Sequence, residues 1–78
     1  MIGLMEAMSF DRPTVRERQI LVALSRGATY EKVALELGVT INTVRTHVRS
    51  LYAKLGVQTK TRAVMVGLER GLLKLRDG

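Results

Sequence analysis

The sequence contains no cysteine, which excludes a disulfide framework and thiolate chemistry and is compatible with a reducing, cytoplasmic setting. It has one histidine, His47. A zinc site would need about three further ligands, so no metal and no cofactor is expected. No stretch approaches the roughly 20 apolar residues that cross a bilayer. The N-terminus, MIGLMEAMSF, carries Glu6 and no basic residue, a poor match to a signal peptide. No repeat or low-complexity tract occurs. Acid is also missing over one long interval: between Glu36 and Glu69 there is no Asp or Glu, while Arg45, Arg49, Lys54, Lys60 and Arg62 all fall inside it.

What is present bounds the rest. Seventy-eight residues make one small domain. A chain this short buries only about 60% of its unfolded surface, and a single core of this size supplies on the order of 3–5 kcal/mol. The net charge is +6, with a pI near 10.6. Such an excess attracts polyanions: nucleic acid, an anionic membrane or an acidic protein.

Glycines and threonines punctuate the chain. Gly27, Gly38, Gly56 and Gly71 each follow a stretch of helical periodicity, where glycine tolerates the backbone that ends a helix. Thr14, Thr29, Thr40 and Thr59 stand where the next helix should begin and can cap its free N–H groups. The spacing predicts helices over 15–26, 30–37, 41–55 and 60–70, and no strand. The fold class is therefore all-α: a compact four-helix domain containing a helix-turn-helix. The first helix has the strongest start. In TVRE, Thr14 and Glu17 form a reciprocal capping box, and Pro13 blocks helix continuation upstream. Glu17 reads as a cap rather than a catalytic acid. Ile20, Leu21 and Leu24 form the inward stripe. In the second helix Val33, Ala34 and Leu37 face inward, and small Ala34 admits a crossing helix. Gly38 ends it, Val39 plugs the corner, and Thr40 caps the third helix, the spacing of a helix-turn-helix.

In the third helix Val44, Val48, Leu51 and Leu55 fall on one stripe, with Tyr52 at its edge. Asn42, Arg45, Thr46, Arg49, Ser50 and Ala53 fall opposite. The middle of that face is small and the arginines stand to one side. A low polar ridge flanked by long cations fits the major groove of DNA, where arginine pairs with guanine O6 and N7 and the Thr46 methyl can touch a thymine methyl. His47 lies between the two faces. No nucleophile or base constellation can be assembled around it, and a hydrogen-bonding or phosphate-touching role suits it better. The protein is not expected to be an enzyme. The fourth helix is apolar on two sides. Val64 and Leu68 serve one face, while Ala63, Met65, Val66 and Gly67 are apolar or small elsewhere. Such a helix has two neighbours: the domain's own core and either the same helix of a second copy or residues 1–11 or 72–76 folded back.

TVRER in the first helix, TVRTHV in the third, KLGV after it and AV in the fourth resemble the LuxR-type helix-turn-helix family of bacterial transcription regulators, over residues 14–73. The resemblance implies sequence-specific binding of double-stranded DNA with the third helix in the major groove. Arg45, Thr46 and Arg49 occupy the base-touching positions. Thr43, Lys54 and Lys60 match positions near phosphate. The fourth helix is the dimer contact in such domains, placing Ala63, Val66, Gly67 and Arg70 at a homodimer interface, formed alone or only on DNA. Half-sites then lie about one helical turn apart. RNA polymerase is a further expected partner; a membrane is not. Two departures stand out. Pro13 replaces a common leucine. Residues 29–34 read Thr-Tyr-Glu-Lys-Val-Ala, with tyrosine for asparagine and the Lys-Glu order reversed. Glu31 would repel phosphate, so Lys32 or the Tyr30 hydroxyl takes that contact. The expected organisation is an N-terminal arm or linker (1–13), the domain (14–73) and a tail (74–78). The residues before Pro13 are too few for a receiver or sensor, so the chain is either free-standing or part of a longer regulator. Two other readings compete. A sigma-factor promoter-binding region is disfavoured by KLGV followed by AV. A protein-interaction module docking on an acidic partner or the transcription machinery, without reading DNA, is opposed by the acid-free third helix. Ala, Ser and Thr opposite its core stripe are poor anchors for a membrane-surface helix.

Overall fold

Thr14 opens the first helix as its spacing predicts. In the computed structural model, which describes residues 12–74, the Glu17 N–H donates to Thr14 Oγ1 at 3.1 Å and the Thr14 N–H donates to Glu17 Oε1 at 2.9 Å. This closes the capping box at the head of α1 (Val15–Ser25). Thr29 caps α2 (Tyr30–Leu37) by accepting from the Lys32 N–H. Thr40 caps α3 (Ile41–Leu55) by accepting from the Thr43 N–H. Thr59 caps α4 (Lys60–Glu69) by accepting from the Arg62 N–H. No strand occurs among the described residues. The first and last helices each stop one residue before the sequence expectation, at Ser25 and Glu69, because Arg26 and Arg70 leave helical geometry as C-caps. The expected N-terminal arm, save Arg12 and Pro13, and nearly all of the expected tail lie outside the described residues.

The turn between α2 and α3 needs glycine. Gly38 has φ of 70°, a left-handed conformation that a Cβ makes costly. The Val39 N–H then donates back to the Ala34 carbonyl at 3.0 Å, and Val39 packs half-buried against the core beside it.

Two apolar clusters hold the helices. The first joins Ile20 and Leu24 of α1, Val33 and Ala34 of α2, and Val44 and Val48 of α3. The second joins Leu21 of α1, Leu51 and Leu55 of α3, Val57, Ala63 of α4 and Leu73. Consecutive residues of α1 thus enter different clusters, and α3 presents its upper stripe to one and its lower stripe to the other. The four-residue stripe predicted for α3 is buried throughout. With that side fixed inward, the opposite side of α3 must face out.

Of the neighbours the sequence left open for the second apolar side of α4, residues 72–73 are folded back over the helix. Ala63 is fully buried. Gly67 is buried, and a Cβ there would lie 3.0 Å from a Leu21 methyl and 3.1 Å from a Leu73 methyl. The chain beyond α4 folds back over it: the Leu72 and Leu73 N–H groups both donate to the Gly67 carbonyl. Arg18 Nε of α1 donates to the Leu72 carbonyl at 3.2 Å and ties this turn down. Ala63 and Gly67 are therefore taken up by the domain's own core. Of the four expected interface residues, only exposed Arg70 and half-buried Val66 reach the surface.

Candidate nucleic-acid interface

α3 places Asn42, Arg45, Thr46, Arg49 and Ala53 on an exposed face. The stripe of Val44, Val48, Leu51 and Leu55 anchors the helix behind them. Two local hydrogen bonds order this face. The Thr46 hydroxyl donates to the Asn42 carbonyl at 3.0 Å, and Arg45 Nη1 donates to Asn42 Oδ1 at 3.3 Å. At the head of the helix the Thr40 and Thr43 hydroxyl oxygens lie 3.0 Å apart. Lys32 is exposed near the start of α2 and Lys60 is exposed at the start of α4. Of the residues expected to touch DNA, Arg45, Thr46 and Arg49 thus share one helix face. Thr43 is half-buried at its head, and Lys32 and Lys60 stand on separate elements.

Lys54 is placed differently. Its Nζ lies 2.9 Å from Glu17 Oε1, with the two side chains only 13% and 4% exposed. This ammonium ties α3 to the capped end of α1. Ser50, read as part of the outward ridge, is half-buried and turned toward the same carboxylate. Thr46 and Ala53 remain exposed, so the ridge stays open on either side of it. Sequence reasoning missed this cluster. Helical spacing reports neighbours three or four residues apart, and Glu17 and Lys54 are 37 apart. The available signal was weak: Lys54 sits on the flank of the α3 core stripe, where a long side chain can reach a neighbouring helix.

The cluster sets the charge state of Glu17. Burial pushes its carboxyl up. The hydrogen bond from Lys54, the Thr14 N–H, the Ser50 hydroxyl and the Lys54 charge together outweigh burial and hold it below the ordinary value of 4.5. A group whose folded value is depressed stabilises the fold fully above its unfolded value, and that contribution is lost as pH falls through the folded value. Acid unfolding should therefore draw on Glu17 below about pH 4.5. In chemical unfolding followed across that range, Glu17→Gln should show a shallower loss of stability on acidification than the parent chain.

A second link joins α2 to α3. Burial raises the Tyr52 phenol above its ordinary 10.0, and neighbouring Tyr30 raises it further. Tyr30 and Tyr52 are both half-buried against the same apolar cluster, while Lys32 is exposed. Among the described residues no group of three or more His, Cys, Asp or Glu could hold a metal ion, and no helix is long and apolar enough to cross a membrane.

Two helices joined by a glycine turn, the second held by its apolar stripe with an acid-free face outward, define a helix-turn-helix domain. The family model described as "Bacterial regulatory proteins, luxR family" matches residues 14–66, and the chain belongs to that family. It is similar to the transcriptional activator protein EchR of Dickeya chrysanthemi, at 42% identity over 59 residues, covering 76% of this chain and 24% of the relative. It is also similar to the probable transcriptional regulatory protein SgaR of Hyphomicrobium methylovorum, at 45% over 51 residues (65% of this chain, 24% of the relative). The response regulator protein VraR of Staphylococcus aureus matches at 34% over 65 residues (83% and 31%). The chain thus spans from 24% to 31% of the length of these relatives. No solved structure gives a significant match.

Proposed function

We propose that the chain is a sequence-specific, double-stranded-DNA-binding domain of a cytoplasmic transcription regulator, with α3 lying in the major groove. One observation carries this: the exposed face of α3 holds no acid and keeps a low centre at Thr46 and Ala53 with Arg45 and Arg49 exposed beside it. Small groups let the helix backbone approach base edges, and arginines beside them supply the commonest base contact, to guanine. Lys32, Lys60, Thr43 and backbone N–H groups supply phosphate contacts that set register without reading sequence. Lys54 would have to leave Glu17 to reach a phosphate, and it stands outside this set.

Two substitutions separate the roles. Arg49→Ala should weaken binding to a selected site by roughly 1–3 kcal/mol and relax choice at one base. Lys60→Ala should weaken all sequences alike and reduce the salt slope by about one unit. Titrations of specific and random duplex at several salt concentrations read both. An unchanged footprint and affinity for Arg49→Ala would remove α3 from the groove. Absence of binding to any duplex at low salt would favour the reading as a module for an acidic protein partner.

The bound form is a dimer through α4. With Ala63 and Gly67 inside the domain, the contact falls on the outer side of the helix. There Met65 is 47% exposed, with half-buried Val66 and exposed Arg70 beside it. Sedimentation of the DNA complex should show two copies for the parent chain and one for Met65→Glu. Two copies in both would place the contact elsewhere.

A further inference from the structure

We propose that Glu17 is a positioning residue for sequence reading. By holding Lys54 it fixes the roll of α3 about its own axis, and so sets the ratio of specific to random DNA binding rather than affinity for DNA as such. This rests on the placement of α3 in the major groove and adds what keeps its reading face in register.

Glu17 is the one charged side chain buried among the described residues. Its Oε1 accepts from the Thr14 N–H at 2.9 Å, while Thr14 Oγ1 accepts from the Glu17 N–H at 3.1 Å. The carboxylate is thereby fixed to the head of α1. The same Oε1 takes the Lys54 ammonium of α3 at 2.9 Å, with the Ser50 hydroxyl turned toward it. Ser50 and Lys54 are four apart, neighbours on one row of the helix. Followed toward the head of α3, that row passes through Thr46 and Asn42, both exposed. The Thr46 hydroxyl donates to the Asn42 carbonyl at 3.0 Å. A single row of α3 thus starts on the face turned outward and ends on a carboxylate of α1.

The rest of the packing between α1 and α3 is apolar, through Ile20, Leu21 and Leu24 on one side and Val44, Val48, Leu51 and Leu55 on the other. Apolar burial is non-directional, so it presses α3 onto α1 but sets its roll weakly. The ion pair supplies the missing direction. Side chains stand about 5–6 Å from a helix axis, so a roll of about 20° would carry Thr46 or Arg49 about 2 Å sideways. A hydrogen bond to a base edge tolerates only about 0.5 Å, and direct readout would be lost. Attraction to phosphates is carried by long cations and needs no such precision, so it would survive the same roll.

Glu17→Gln combined with Lys54→Met breaks the link without stranding a charge and keeps a side chain able to complete the capping box. It removes one charge of each sign, so the net charge stays at +6. The full chain is titrated with a duplex that the parent selects from random DNA and with a random duplex, at one salt concentration. Partial unfolding scales both affinities by the same folded fraction, so their ratio reports the reading face alone. The double variant should lose about tenfold in that ratio. Lys54→Arg, which keeps a cation able to reach Glu17, should hold the ratio within about twofold of the parent. Leu73→Ala, destabilised in the core behind α4, should also hold it within about twofold. A double variant that keeps the parent's ratio overturns this inference while leaving α3 in the groove. So does a Leu73→Ala or Lys54→Arg ratio that falls as far as that of the double variant. A parent chain that prefers no sequence overturns the groove placement and this inference with it.

Discussion

Lys54→Met should bring the domain close to unfolding at room temperature. The substitution keeps the length and apolar stem of the side chain but leaves the Glu17 carboxylate, 4% exposed, without its counter-charge. Removing one partner of a buried pair typically costs about 3–5 kcal/mol. The slight exposure of Lys54 places this case near 3 kcal/mol, against a total for such a small domain on the order of 3–5 kcal/mol. A second change should reverse most of the damage. Glu17→Gln removes the stranded charge and keeps a residue that can complete the capping box. The doubly substituted chain is therefore expected to be more stable than Lys54→Met alone, measured by thermal and urea unfolding without DNA. Were Lys54→Met to unfold like the parent and lose only DNA affinity, its ammonium would be a phosphate ligand after all.

Leu51→Ala should be comparably damaging. Leu51 is fully buried where α3 meets α1 and α4. Truncating a leucine in such a site costs about 2–5 kcal/mol, again comparable with the whole stability of a domain this size. Leu35→Ala provides the contrast. That leucine is 83% exposed on α2, and surface changes of this kind stay within about 0.5 kcal/mol. Unfolding curves of the two variants should differ by most of the transition; equal curves would mean the core has been assigned to the wrong face. A saturating duplex should partly rescue Leu51→Ala, since a ligand that binds only the folded chain raises its apparent stability.

The helices were legible in the sequence because their signals are local. Each threonine cap and the glycine that follows a helix act within one turn, and the α3 stripe repeats within a single helix. The exposed residues opposite it followed from that stripe by subtraction. What could not be read was which helix meets which. Glu17 looked complete as a capping residue, and nothing near it in the chain announces Lys54. Ala63 and Gly67 are small and four apart, a spacing that serves any close approach. Whether they meet a second copy or the domain's own Leu21 and Leu73 depends on how residues 71–74 turn, and that turn is held by Arg18 from the far end of the chain.

Ile20 and Leu21 are adjacent, yet one belongs with the helix pair of the turn and the other with α4. Neither half of the molecule owns a complete floor. Trimming α4 away would strip the lower half of α3 of its backing, so a shortened chain ending near Leu55 would not survive as a miniature reader. The smallest working unit is the whole set of four helices.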